Sequence, residues 1–234
     1  MTRNTDNFVR RAQRRGRGFT LVELMVVISI IVLRVGILVP SIGKVVLAGK
    51  NGVSRARVEM IEKACREYQV DFDEFPPSGA PERFPGWQGC ELVVLFLQGY
   101  GPDPDRKGDP QSELDTDDGK EGYGYRTQAR GKVYGPYNGA ETIPTKLPTG
   151  PNPRPYFVDA FDRPICYYRF DNDAYSTDHN SGLPGDGPDI SGYARDSNNF
   201  CYRRDIALCS QGADGKWTEP RKGDSDDITN FFLK

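Results

Sequence analysis

From Phe19 to Val39 the chain is apolar except for Thr20, Glu23, Ser29, Arg34 and Gly36, a run of about the length a helix needs to cross a bilayer. Pro40 follows; its missing N–H and its ring predict a kink in that helix rather than its end. Beyond the proline the pattern changes. Val53, Met60, Ile61, Ala64, Cys65, Tyr68 and Phe72 recur at helical spacing, with Arg55, Arg57, Glu59, Glu62, Lys63, Arg66 and Glu67 between them, which predicts an amphipathic helix with one buried face. Gly49, Asn51 and Gly52 weaken the join, so one helix over about 19–73 is expected, loosening there. Pro76-Pro77 ends it.

Further on, Glu91 to Gln98 is a short apolar segment between Gly89 and Gly99 and predicts a small second helix, whereas residues 100–155 are rich in Gly, Pro, Asp and Lys and predict mostly loop. Three short segments rich in aromatic and β-branched residues read as antiparallel strands: Ile165 to Phe170, Asn199 to Tyr202 and Asp205 to Leu208. The expected fold class is α+β: a long kinked N-terminal helix whose amphipathic half packs on a small antiparallel sheet.

Composition fits one core. The chain has 234 residues, 37% of them hydrophobic, enough for a single soluble domain on one anchor. Its 26 Gly and 18 Pro suggest long connections without reaching the level that signals disorder. Charge is unevenly placed. Residues 1–18 hold six arginines against Asp6, and of 31 Lys plus Arg and 33 Asp plus Glu the remainder keeps 25 and 32, a net −7. Basic residues beside a span tend to stay in the cytoplasm, so residues 1–18 are expected inside and the body exported. An acidic body also argues against nucleic acid as a main partner.

The cysteines, at 65, 90, 166, 201 and 209, form no CxxC pair, and the single histidine is His179, so no structural zinc or haem site is expected. An odd count in an exported chain leaves at least one thiol unpaired; a Cys201–Cys209 bridge and buried free thiols both stand open. Asp115 to Gly119, Asp171 to Asp173 and His179 lie in polar loops. No GxSxG, GxGxxG or GxxxxGK[ST] occurs, so enzyme activity finds no support in the motifs.

Arg14-Arg15-Gly16-Arg17-Gly18-Phe19-Thr20-Leu21-Val22-Glu23-Leu24 resembles the processing and methylation signature of type IV pilins and type II secretion pseudopilins. By resemblance, a prepilin peptidase cuts between Gly18 and Phe19 and methylates the new Phe19 amine. Glu23 is then the fifth residue of the mature chain and Pro40 the twenty-second. Glycine presents the scissile backbone without a side chain, and a carboxylate inside a span is costly unless it is paired. The family resemblance implies that Glu23 meets the freed amine of a neighbouring subunit. Arg34, which departs from the family's apolar stretch, lies about three turns from Glu23 on the same face and suggests a contact with Glu23 between staggered subunits. The resulting partition is a leader 1–18, a transmembrane and filament-core helix 19–40, an amphipathic half 41–75 and a periplasmic head 76–234.

Tyr68 to Pro77, Phe161 to Tyr168, and Asp205 to Gly215 with Asp224 to Asn230 resemble segments of type II secretion major pseudopilins. That resemblance implies Ca²⁺ in the terminal loop, held by Asp214 and Asp227, the Gln211 carbonyl and Asp224 or Asp226; a flexible set of oxygens suits this cation. It also implies a structural subunit at the bacterial inner membrane that polymerises into a periplasmic filament. Its partners would be copies of itself, other pseudopilins, prepilin peptidase and the assembly platform with its ATPase. The alternatives are a surface type IV pilin and an anchored binding module whose 100–160 and 171–199 insertions form a ligand surface. An ordinary signal peptide cut after Val46-Leu47-Ala48, and a plain membrane anchor, are further readings.

Overall fold

The computed structural model describes residues 18–79, 85–99, 125–126, 132–148, 154–181, 187–196, 198, 200–218 and 225–231. The basic segment 1–17, Asp115 to Gly119 and Asp224 lie outside them. The chain divides into two compact units, residues 1–46 and 47–234, and each is described by itself.

Helix α1 spans Leu21–Phe72 and runs without a break through Pro40 and through Gly49, Asn51 and Gly52, where loosening was expected. In the first unit its side chains are exposed all round: Leu24, Met25, Ile31, Leu33 and Ile37 are among the many large apolar groups facing outward. Two hydroxyls there are hidden against the helix's own carbonyls, Ser29 Oγ donating to Met25 O and Ser41 Oγ to Ile37 O. Such back-bonding keeps a hydroxyl satisfied in an apolar surround.

In the second unit α1 turns amphipathic. Ser54, Val58, Ile61, Ala64, Cys65 and Tyr68 are buried, a stripe at three- and four-residue steps. Val53, expected on that face, is exposed, and Ser54 takes its place because its hydroxyl accepts the Ala160 N–H. Asp73, at φ 59°, ends the helix in the left-handed region.

Helix α2 (Gly89–Val94) continues into a π-helical turn, Leu95–Gly99. Glu91 Oε2 accepts the Gln88 N–H and so caps its start. Asn180, fully buried, accepts the Cys90 N–H and donates to the Tyr167 carbonyl, tying α2 to the sheet. A Cβ at Gly89 would collide with that same carbonyl, which is why glycine opens the helix.

The main sheet is antiparallel, in the order β5 (Cys166–Arg169), β6 (Ile206–Ser210), β7 (Ile228–Thr229). Two smaller ladders pair β1 (Tyr125–Arg126) with β2 (Val133–Tyr134), and β3 (Thr145–Lys146) with β4 (Tyr156–Phe157). Both faces of β5 and β6 are covered. Tyr167, Ile206 and Leu208 join Val58, Ile61, Ala64 and Cys65 of α1 in one cluster. Cys166, Tyr168, Ala207 and Cys209 face a second cluster with Tyr175, Tyr193 and Ile190 of the short helix α3 (Ile190–Tyr193). Each large side chain so buried contributes about 1.5–3 kcal/mol relative to exposure.

The α+β class is as the pattern predicts, with two corrections. Of the strand expected over Asn199 to Tyr202, Asn199 lies outside the described residues; the rest shows one bridge, between Arg195 and Cys201, beside a turn in which Asp196 accepts the backbone N–H groups of Asn198 and Phe200. Inside the segment expected to be loop, 132–148 carries β2, a 3₁₀ turn at Ala140–Thr142 and β3, held to the core by buried Tyr137, Ala140 and Ile143.

Candidate functional site

Gly18, Phe19 and Thr20 precede α1 and are exposed, Phe19 at 85%. Thr20 holds Glu23 at the start of the helix. Its N–H and hydroxyl both donate to Glu23 Oε2, at 2.9 and 2.8 Å, and its Oγ1 accepts the Glu23 N–H at 3.2 Å. This is a reciprocal capping box, and its signature, Thr-x-x-Glu ahead of an apolar run, is legible in the sequence. Glu23 therefore has a local structural role at the helix start. A Cβ on Gly18 would meet nothing within 4 Å, so glycine there is not required by the fold of the chain itself.

Arg34 is exposed on α1. Eleven residues from Glu23, it stands about 16 Å along the axis, and Glu23 bonds Thr20 instead. Pro40 lies inside α1.

The terminal loop carries four of the expected ligand residues, Gln211, Asp214, Asp226 and Asp227, and spends much of the carboxylates' bonding on the loop itself. Asp226 Oδ2 accepts the N–H groups of Ala213 and Asp214 at 2.8 and 2.9 Å, and Gly212, at φ 61°, lets the Asp226 carbonyl approach where a Cβ would collide with it. Asp214 Oδ1 accepts the Lys216 N–H. Asp227 Oδ2 accepts from the Tyr193 hydroxyl and the Thr218 N–H, each at 2.8 Å; its buried Oδ1 has no hydrogen-bond partner among the described residues. Gln211 is buried at the mouth of the loop. Among the described residues no three His, Cys, Asp or Glu side chains converge as a metal site.

His179 is more than a loop residue: its Nδ1 lies 2.7 Å from Ser78 Oγ, beside a cavity of about 760 Å³ also lined by Arg169, Asp171 and Tyr175. Burial lowers its pKa, opposed by Asp171 and Asp178. Ser78 is 1% exposed and accepts the Arg169 N–H, so the pair fastens β5 to the segment that follows α1.

All five cysteines are free thiols. The Cys201–Cys209 bridge is not formed, because β-pairing sets Cys209 opposite Cys166 and Cys201 opposite Arg195.

Residues 13–38 match the family model described as the prokaryotic N-terminal methylation motif. No curated protein and no solved structure matches the chain. The motif is that of type IV pilin-like proteins, which are processed by prepilin peptidase and assembled into filaments at the membrane. Among the described residues one helix, α1, is long and apolar enough to cross a membrane, which is compatible with a single-pass inner-membrane protein.

Burial, with repulsion from Asp226 and Asp214, pushes the Asp227 carboxyl up to about 6 from an ordinary 3.8, against the bonds from Thr218 and Tyr193. The folded state thus holds this proton more tightly than the unfolded chain. The group's contribution to stability is complete below about pH 4 and is lost as pH rises through about 6. Asp227→Asn should flatten that fall: the difference in thermal midpoint between variant and parent, followed from pH 4 to 7, grows in the variant's favour as pH rises.

Proposed function

We propose that this chain is a structural subunit of a type II secretion pseudopilus. The observation that carries the reading is the methylation motif at residues 13–38 running into a helix whose first half is exposed and apolar on every side. Such a surface is stable only in lipid or against its own kind, since large exposed apolar patches mark interaction surfaces. The leader 1–18 stays in the cytoplasm and is removed between Gly18 and Phe19; the head lies in the periplasm. Glu23 then exchanges its Thr20 bonds for the Phe19 amine of a neighbouring subunit, pairing two charges that would be expensive in the filament core. Growth of the homopolymer, with prepilin peptidase, other pseudopilins, the inner-membrane platform and its ATPase as partners, moves cargo outward, a structural rather than catalytic role. The secretion assignment over a surface pilus rests on the resemblance of Tyr68 to Pro77 and of the terminal segments to major pseudopilins.

Calcium in the terminal loop belongs to the same proposal. Asp227 Oδ1 is buried without a partner among the described residues, and Asp226 and Asp214 oppose its ionisation; a hard cation on these oxygens and the Gln211 carbonyl would relieve both. Calorimetric titration of the full chain in detergent should detect Ca²⁺ binding that Asp227→Asn weakens at least tenfold, on the scale of losing one charged ligand; a parent that binds no Ca²⁺ refutes it.

Arg34 is expected to contact Glu23 of a staggered neighbour, and filament yield should fall in Arg34→Leu; a yield equal to the parent's removes that contact. The decisive experiment is the mass and N-terminus of the protein recovered from membranes, beside Gly18→Ala. An N-methylated Phe19, lost in a variant whose head still unfolds at the parent's temperature, is the expected outcome. A terminus at Gly49 or an intact Met1 overturns the filament reading. Loss of secretion on deletion separates the pseudopilus from a surface pilus, which would instead leave extracellular filaments.

A further inference from the structure

Three of the five thiols meet inside one apolar cluster. Cys90 from α2, Cys166 from β5 and Cys209 from β6 are 0–2% exposed and pack together with Tyr168 and Ala207. Cys166 and Cys209 are register partners across the β5–β6 ladder. Facing residues in an antiparallel pair stand about 4.5–5.5 Å apart at Cα, inside the range that a disulfide spans without backbone movement. Cys90 packs in the same cluster, but it comes from a different element and has no ladder position opposite either strand. Cys201, half-buried, packs against the same cluster but its β-bridge is to Arg195 and not to either cysteine strand, and Cys65 belongs to the other cluster.

We infer that Cys166 and Cys209 are a cross-strand disulfide site, closed while the head folds in contact with a disulfide donor. One S–S bond forms between the two sulfurs. The two thiols give up two protons and two electrons to the donor's disulfide, which breaks into two thiols. Closure must precede burial, because once the sheet is covered on both faces the thiols are shielded from any donor. Cys90 stays reduced beside the bridge. The bridge ties together strands some forty residues apart in the chain, so it restrains the unfolded head and leaves the native sheet as it is. Where the donor is met rests on the exported head proposed above; the pairing does not.

The test uses the full chain made in its own cells, with and without diamide, which crosses membranes and oxidises dithiols while being reduced to the hydrazine. Cells are lysed directly into denaturant with N-ethylmaleimide, so that buried free thiols are exposed and blocked, and the digest is read by mass spectrometry without reduction. The expected result is a linked Cys166–Cys209 peptide two hydrogen masses below the sum of its parts, with Cys90 alkylated, together with a thermal midpoint that drops on reduction. The same link should persist in Cys90→Ala. A link formed only under diamide upholds the pairing and counts against export of the head. Full alkylation under both conditions, or a link through Cys90 or Cys201 instead, overturns the inference.

Discussion

One helix has to satisfy two solvents. Up to about residue 46, α1 offers apolar side chains in every direction, and no arrangement of a single helix can hide them. From residue 54 onward the apolar positions narrow to a stripe of Ser54, Val58, Ile61, Ala64, Cys65 and Tyr68, which a sheet can cover. The rest of the molecule follows from that stripe. It supplies one wall of the core, and the strands that cover it, β5 and β6, have their own opposite faces covered by Tyr156, Tyr175, Ile190 and Tyr193.

Strands covered on both faces read as continuous apolar runs, and Ile206 to Ser210 is buried at every position. Polar residues at the edges set the register. Glu62 of α1 accepts from Arg66, Arg203 and Asn230, and Arg203 and Arg66 also reach Asp205. Burial alone would raise the Glu62 pKa, but the bonds from Arg203 and Arg66 hold it below its ordinary value. Isolated surface ion pairs contribute little, about 0–1 kcal/mol; here several share partners, and the network joins α1 to β6 and the chain end. Asp159, 1% exposed, does similar work on the other side, accepting from Phe161, Arg163 and the Ser210 hydroxyl. The turn it organises needs a left-handed residue, which Asp162 provides at φ 67°.

The terminal loop shows how one set of residues can look like a ligand cluster and yet be built largely for itself. Asp226 serves backbone amides, and Asp227 holds Tyr193 and Thr218. Asp227 Oδ1 remains over, buried and without a partner among the described residues. That oxygen ties the loop's protonation state to its packing.

Local patterns carried much of this. The apolar stem, the amphipathic half of α1, the short second helix and the strands at 166–169 and 206–210 were legible, because each depends on the spacing of side chains a few residues apart. The methylation motif over 13–38 was legible for the same reason, and the Thr-x-x-Glu spacing of Thr20 and Glu23 carries the capping box. The strand expected at 199–202 had the right composition, but its described part shows one bridge beside a turn on Asp196. What only the tertiary structure decided was which distant groups meet: Ser54 in place of Val53 on the buried face, Cys209 against Cys166 rather than Cys201, Ser78 on His179, and carboxylates given to amides before any ion. Those pairings depend on strand register and on burial from both sides, and neither is written in any short stretch of chain.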